Sequence, residues 1–238
     1  MKQSASCAIC HDSRDANVCG LGFGRCMEFN GTITNNEYLT VASNDKIDNI
    51  FYGAATITAW VKPTSSTDTV FPIVAKVSGS PSLRGYLFNI YKPSAEPHGQ
   101  VQFAIYTADT HDTVSSFNSS TWQTPANSVL IGEWSHVAVV FDGKNTRNNP
   151  ALYINGVRQQ VDLFYGSVNP LPASKNESGV PISIGKYKFT VIVGGISYTP
   201  EQWATGFIDE VAVYGVGMQA GEIQQLYAQG RENHLANE

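Results

Sequence analysis

The sequence lacks any hydrophobic run long enough to cross a bilayer, and after residue 26 it contains no cysteine. A membrane-spanning helix needs about 20 consecutive apolar residues, so no membrane insertion is expected. Lysine and arginine are also scarce, with 15 of them against 20 acidic residues and a net charge of −5. Nucleic acids and anionic membrane surfaces bind clustered Lys and Arg, so neither is an expected partner.

The motifs of several enzyme classes are missing as well. The sequence has no H-E-x-x-H, no P-loop and no dinucleotide-binding fingerprint. Glycosidases need two carboxyl groups facing each other across the substrate, and no strand carries acids at alternate positions in an E-x-D-x-E pattern. We therefore expect no catalytic residues and a function other than an enzyme.

The chain of 238 residues is 42% hydrophobic and 15% charged, which suits one large all-β domain. Short apolar segments alternate with Gly, Pro, Asn and Ser, a pattern typical of a sandwich or barrel. The predicted strands are Met27–Phe29, Tyr38–Val41, Ala55–Lys62, Val70–Val77, Tyr86–Tyr91, Gln100–Thr107, Ser135–Phe141, Ala151–Ile154, Ile182–Ile184 and Ile208–Tyr214. A hairpin turning at residues 194–195 is a further candidate.

One helix is predicted, from Gln219 to Gln229, because Ile223, Leu226 and Tyr227 would share a face. Gly230 is its expected stop, since glycine commonly ends helices. Three segments between strands are predicted as loops or insertions: residues 107–131, 165–181 and 189–205.

Residues 133–157, EWSHVAVVFDGKNTRNNPALYINGV, carry the most specific pattern. A Val-rich strand ends at Asp-Gly, and a second strand runs into Asn155-Gly156, a strong hairpin signal. Three further segments have a similar pattern of strand and turn residues: TITAWVKP at 56–63, GFIDEVAVY at 206–214 and MEFNGTITNNEYLTV at 27–41. Together these phrases resemble the laminin-G-like, or concanavalin-A-like, jelly-roll family over roughly residues 26–228.

The resemblance implies an antiparallel two-sheet jelly roll at residues 26–238, with a short C-terminal helix. Residues 1–25 would form a Cys-rich irregular cap or linker. All four cysteines fall at the start of the chain, at Cys7, Cys10, Cys19 and Cys26. Two disulfides are the preferred interpretation, with three pairings open. A four-thiolate zinc site, free thiols, or haem attached at the C-x-x-C-H of Cys7–His11 are the alternatives.

Two tryptophans fall outside the predicted strands. Trp122 and Trp203, together with His111, are the candidate ligand-binding residues, because exposed loop aromatics often contact a partner. Packing at the ends of the sandwich is the alternative for both tryptophans. His136 lies in an apolar strand and is expected to be a structural histidine.

Asp209 and Glu210 are adjacent acids in the last strand, so their side chains are expected to point to opposite faces. Asp209 shares parity with Phe207, Val211 and Val213, which predicts that it faces inward. The resemblance implies a structural calcium between this strand and the first one. Its candidate ligands are oxygens of four residues: Asp209, Glu28, Asn30 and Gly31.

The leading hypothesis is a non-catalytic binding or adhesion module that recognises a glycan or a surface protein. The second is a structural or assembly domain of a pilus, adhesin or fibre, and the third is a glycan hydrolase or lyase. Disulfides favour an exported protein, at the cell surface or outside the cell. Residues 1–7 have no apolar signal segment, so the chain is either cytosolic or part of a larger exported protein or assembly. The cysteines favour the second alternative.

Overall fold

The computed structural model describes residues 26–31, 37–65, 68–79, 84–92, 98–107, 119–145, 149–166, 179–193 and 196–235. Two large antiparallel sheets, A and B, enclose one main hydrophobic core. This confirms the predicted all-β sandwich. No helix among the described residues is long and apolar enough to cross a membrane.

Sheet A contains the first and last strands of the sandwich. Its strands are β1 (Met27–Asn30), β3 (Ala54–Pro63), β9 (Ser135–Asp142), β10 (Ala151–Ile154), β11 (Val157–Arg158) and β18 (Thr205–Tyr214). Their spatial order is β1-β18-β3-β9-β10-β11. Strands distant in sequence are therefore neighbours, as in a jelly roll.

Sheet B forms the other layer. Its strands are β2 (Leu39–Val41), β4 (Val70–Ser78), β5 (Arg84–Tyr91), β6 (His98–Thr107), β7 (Ser119–Gln123), β12 (Asp162–Tyr165) and β13 (Ile182–Ile184). The order across the sheet is β12-β7-β6-β5-β4-β13-β2, and β8 (Val129–Leu130) pairs with β6.

Smaller elements complete the described chain. A 3₁₀ turn spans Ile50–Tyr52, and helix α1 spans Ala220–Leu235. Strand β14 (Lys186–Lys188) pairs with β17 (Glu201–Trp203), while β15 (Val191–Val193) pairs with β16 (Ile196–Tyr198). The last pair is the hairpin predicted around residues 194–195.

Alternation of side chains explains the two faces of each strand. In β5, Tyr86, Phe88 and Ile90 belong to the main core, whereas Asn89 and Tyr91 alternate with them and lie on the outer face. All ten predicted strands are present, with ends that differ by at most three residues. The apolar residues of these segments and the turn residues between them were sufficient to predict the strands.

The Asn-Gly turn is also confirmed. Asn155 and Gly156 both have positive φ, at 50° and 76°, and they join β10 to β11. The Asn155 side chain accepts a hydrogen bond from the backbone N–H of His136 at 2.9 Å. The turn is thereby fixed to the start of β9.

The predicted helix stop at Gly230 is wrong. Helix α1 continues through Gly230 to Leu235, and Gly230 is buried against sheet A. A Cβ atom at this position would lie 2.2 Å from Nε1 of Trp60. Glycine is therefore needed for close approach of the helix to the sheet and not for helix termination.

Candidate functional site

The prediction that Trp122 lies on an exposed loop is wrong. Trp122 is in β7, is fully buried, and packs against Phe141 in the core. Its indole N–H donates to Oδ1 of Asn149 at 3.1 Å. The polar residues on either side of Trp122 made this segment resemble a loop. They occupy outward positions of the strand, whereas Trp122 points inward. A fully buried indole has no face left for a ligand.

Trp203 is likewise in a strand, β17, and its side chain is 7% exposed. Nζ of Lys186 lies 4.0 Å from the centroid of its ring, and the Tyr38 ring packs edge-on at 5.8 Å. These contacts make it part of the packing at this end of the sandwich. His111 lies outside the described residues, so its role stays a prediction.

The four predicted calcium ligands do not converge on one point. Strands β1 and β18 are neighbours, as the prediction requires, but Asn30 is opposite Thr205. Asp209 is four residues further along β18, or about 13 Å away. The Asn30 amide instead donates to Oε2 of Glu37 at 2.7 Å, and the Glu28 side chain is exposed.

Gly31 follows β1 with φ +62°, and a Cβ there would meet the Thr205 side chain. Across the described ranges, no group of three or more His, Cys, Asp and Glu side chains could hold a metal ion. The residues of the predicted set therefore do not fit one site, and calcium stays a prediction.

The prediction that Asp209 faces inward is wrong, and so is the prediction that Asp209 and Glu210 point to opposite faces. A β-bulge interrupts the pairing of β18 with β3 after Asp209, and Glu210 has φ +48°. The extra residue shifts the parity, so Val211 and Val213 contact the core. Asp209 and Glu210 both lie beneath helix α1 instead.

These two acids surround a histidine at the end of the helix. Nε2 of His234 is 3.6 Å from Oδ2 of Asp209 and 3.8 Å from Oε1 of Glu210. The His234 ring also stacks on Trp60, with centroids 4.5 Å apart, and contacts Trp134 at 4.7 Å. The buried cluster fixes the helix to sheet A and leaves no room for a substrate at its centre.

Burial raises the pKa of Asp209, against the lowering effects of the Glu210 backbone N–H and of His234. Burial also lowers the pKa of His136, which packs against Trp60, to about 4. His136 is therefore a buried neutral histidine, consistent with the structural role predicted for it.

Cys26 directly precedes β1. Cys7, Cys10 and Cys19 lie outside the described residues. The pairing of the four cysteines, and the division of the chain at residue 25, stay predictions.

A different set of residues forms the candidate site, on the outer face of sheet B. Asn89, Gln102 and Gln123 occupy directly opposite positions on β5, β6 and β7. The Asn89 amide donates to the Gln102 carbonyl oxygen at 3.3 Å, and the Gln102 amide donates to Gln123 at 3.0 Å. We call these three residues the amide row. Their mutual hydrogen bonds fix the orientation of the three amide planes.

Two aromatic side chains belong to strands on either side of β6 and β7. Tyr91 is on β5, two residues after Asn89, and Phe164 is on β12, two residues after Asp162. Their ring centroids are 5.9 Å apart. We call this pair the aromatic bridge.

Asn89 and Gln102 are only 5% and 7% exposed, although both are on an outer face. Phe164 itself is 55% exposed. Asp162, which is opposite Gln123 on β12, is exposed beside the end of the row. The surface thus combines an exposed aromatic ring, oriented amides and one carboxylate.

The sequence contains a local signal for this surface, which is the alternation of residue types in two segments. In YLFNIY and GQVQF, amide and aromatic side chains take every second position between core residues. That alternation predicts amides on one outer face. Sequence alone does not show which strands are neighbours, so it could not assemble the row.

Several solved structures of other proteins have a similar fold. The chain is 17% identical to a SAP-like pentraxin from Limulus polyphemus, with TM-score 0.52, covering 84% of this chain and 80% of that one. It is 14% identical to the CBM40 module of a Ruminococcus gnavus IT-sialidase, with TM-score 0.50, covering 86% and 97%.

The binding domain of botulinum neurotoxin serotype G is 13% identical, with TM-score 0.51 and 84% of this chain covered. The chain spans 41% of that neurotoxin chain. At such low identities these likenesses concern the fold. No curated protein matches the sequence.

A family model covers most of the chain. It is described as the concanavalin A-like lectin/glucanases superfamily, of laminin-G type, and it matches residues 33–224. The chain therefore belongs to the laminin-G-like branch of the concanavalin A-like lectin/glucanases superfamily.

Proposed function

We propose that this protein is a non-catalytic binding module that recognises a glycan through the outer face of sheet B. The observation that carries the proposal is the amide row beside the aromatic bridge. Gln123, the partly exposed end of the row, can exchange hydrogen bonds with sugar hydroxyls. An exposed aromatic ring can cover the apolar face of a pyranose ring.

The composition of sheet B supports binding over catalysis. Glycoside hydrolysis needs two carboxyl groups on either side of the scissile bond. In the strands of sheet B, Asp162 is the single acidic residue. A hydrolase role would need a second acid facing Asp162, which these strands do not provide.

The fold relatives are compatible with a binding role. The sialidase module has also been solved with α2,3-sialyllactose, and a botulinum serotype D binding domain with N-acetylneuraminic acid. Because those likenesses are of fold, they support saccharide binding in general without naming a ligand. The proposal includes an exported location and a place within a larger chain or assembly.

The test is retention on an array of immobilised oligosaccharides. We expect the unmodified protein to bind a subset of glycans and Phe164→Ala to lose that binding. Tyr198→Ala is the matched control, since Tyr198 is also about half exposed but lies in the separate β15–β16 hairpin. Binding to no glycan, or equal binding by Phe164→Ala, would contradict the proposal.

The same hairpin favours a second candidate function, assembly with other subunits. Strands β15 and β16 join neither large sheet, and Ile196 and Tyr198 are exposed large hydrophobic side chains. An assembly domain would self-associate through this hairpin. Sedimentation velocity over a range of protein concentrations distinguishes the two functions. If the protein is an assembly domain, Ile196→Ser abolishes self-association and leaves glycan retention unchanged.

A further inference from the structure

The charged residues around the amide row constrain the kind of glycan that it can accept. An acidic sugar, with a carboxylate or a sulfate, is normally bound through Arg or Lys. A neutral sugar needs only hydrogen-bond donors and acceptors together with an apolar surface. The positions of the basic residues in the sheet B strands therefore decide which of the two kinds of sugar fits the row.

The basic residues of sheet B do not reach the row. Lys76 on β4 is fully buried on the core side, where its Nζ forms an ion pair with Asp48. Arg84 is buried at the far end of β5, five residues from Asn89, or about 17 Å. His98 begins β6, four residues before Gln102.

Lysines that flank the sheet are also occupied. Lys92 follows Tyr91 directly, but its side chain is buried and its Nζ donates to the Ser65 carbonyl oxygen. Lys186 and Lys188 both pair with Glu201, in the small β14–β17 sheet. None of these basic residues therefore places a free cation beside the row, and Arg158, which is exposed four residues before Asp162, belongs to β11 of sheet A.

The charge at the row is negative. Asp162 is exposed, is opposite Gln123, and shares the outer face with it. Its carboxylate can only accept hydrogen bonds, so it suits the hydroxyl groups of a sugar. An anionic sugar placed there would be repelled, and the net charge of −5 adds to that repulsion.

We infer that the amide row and the aromatic bridge select neutral saccharides, with Asp162 as the residue that excludes acidic ones. This inference rests on the proposed function, because it names the ligand class of the same surface. In the bound state, Phe164 would cover the apolar face of a pyranose ring, while Gln123 and Asp162 would bind its hydroxyl groups.

The experiment uses matched pairs on the oligosaccharide array. Each neutral oligosaccharide is compared with the same oligosaccharide carrying sialic acid or sulfate, at physiological salt. We expect the neutral member of each bound pair to be retained at least about ten-fold more strongly, a difference of about 1.4 kcal/mol. Asp162→Asn should narrow that difference by strengthening retention of the acidic members.

The control is Asp45→Asn, the same change at an exposed turn residue outside sheet B. It should leave the neutral-to-acidic ratio unchanged. Stronger retention of the acidic members, lost in Phe164→Ala, would overturn the inference and leave the proposed function standing. An unchanged ratio in Asp162→Asn would remove Asp162 as the selecting residue. Retention of no glycan would overturn both.

Discussion

The side chain of His136 lies beneath helix α1, near Trp60, Tyr227, Glu210 and His234. Burial lowers its pKa from 6.5 to about 4, while Glu210 acts to raise it and His234 to lower it. The unfolded chain therefore binds a proton on this histidine at a higher pH than the folded chain does. The resulting stability is fully present above about pH 6.5 and is lost as the pH falls towards 4.

The size of this effect follows from the lowering of the His136 pKa from 6.5 to about 4, which corresponds to about 3 kcal/mol. We expect His136→Phe, which keeps a ring against Trp60, to reduce the loss of stability between pH 7 and 4.5. Urea unfolding of both proteins at the two pH values measures the difference. An equal pH dependence in the variant would show that other groups are responsible.

Trp122 gives a second prediction for a single residue. Removing a fully buried Trp leaves a cavity in the core and deprives Asn149 of its hydrogen-bond donor. We expect Trp122→Ala to lower the free energy of unfolding by about 3–5 kcal/mol. The control Tyr198→Ala removes an exposed aromatic and should change it by less than about 0.5 kcal/mol. Similar effects from both variants in chemical denaturation would place Trp122 at the surface after all.

Helix α1 depends on a glycine at its contact with sheet A. Gly230 lies against the Trp60 indole, which His234 and Tyr227 stack upon and hold in place. Alanine favours a helix over glycine by about 1 kcal/mol. A methyl group 2.2 Å from the indole nitrogen must nevertheless displace the helix, and overpacking of this kind costs about 1–3 kcal/mol.

We therefore expect Gly230→Ala to lower the melting temperature despite its better helix propensity. Gly221→Ala is the matched control, because Gly221 is in the same helix with open space around its Cβ position. That substitution should be neutral or stabilising. Thermal unfolding followed by tryptophan fluorescence tests both, and a stabilised Gly230→Ala would contradict the close contact of helix and sheet.

The elements also show which features the sequence could predict. The strands of the core were found because apolar alternation and turn residues are local signals, as at Asn155-Gly156. The continuation of α1 beyond Gly230 depends on Trp60, which is 170 positions earlier in the chain. The bulge at Glu210 and the amide row likewise depend on neighbouring strands. Contacts of this kind are set by the tertiary structure, because local sequence does not show which strands or helices become neighbours.

For the whole molecule, the ion pair between Lys76 and Asp48 joins three segments of the chain. Nζ of Lys76, on β4, is 2.8 Å from Oδ1 of Asp48 in the 45–49 turn and also donates to the Val180 carbonyl oxygen. Burial acts to raise the pKa of Asp48, but hydrogen bonds from Lys76 and Ser43 outweigh it, and the pKa lies below its ordinary value. This contribution to stability is present above the unfolded pKa and declines at lower pH.

We expect Lys76→Met to destabilise the fold by about 3–5 kcal/mol, because it removes one partner of a buried pair. Lys188→Met is the control, since Lys188 pairs with Glu201 at the surface and is half exposed. An exposed pair contributes about 0–1 kcal/mol. Guanidinium unfolding measures both values, and equal effects would show that burial of Lys76 adds nothing.

The pairing of β1 with β18 has a consequence for how the molecule is presented to its surroundings. Met27 is opposite Ile208, so one further step in that register places Cys26 beside Asp209. His234, at the other end of the described chain, is also in contact with Asp209. The first and last described residues therefore lie at one spot on the side of sheet A. A partner that contacts the molecule at this spot would approach from the side of sheet A, and the amide row on the outer face of sheet B would stay accessible.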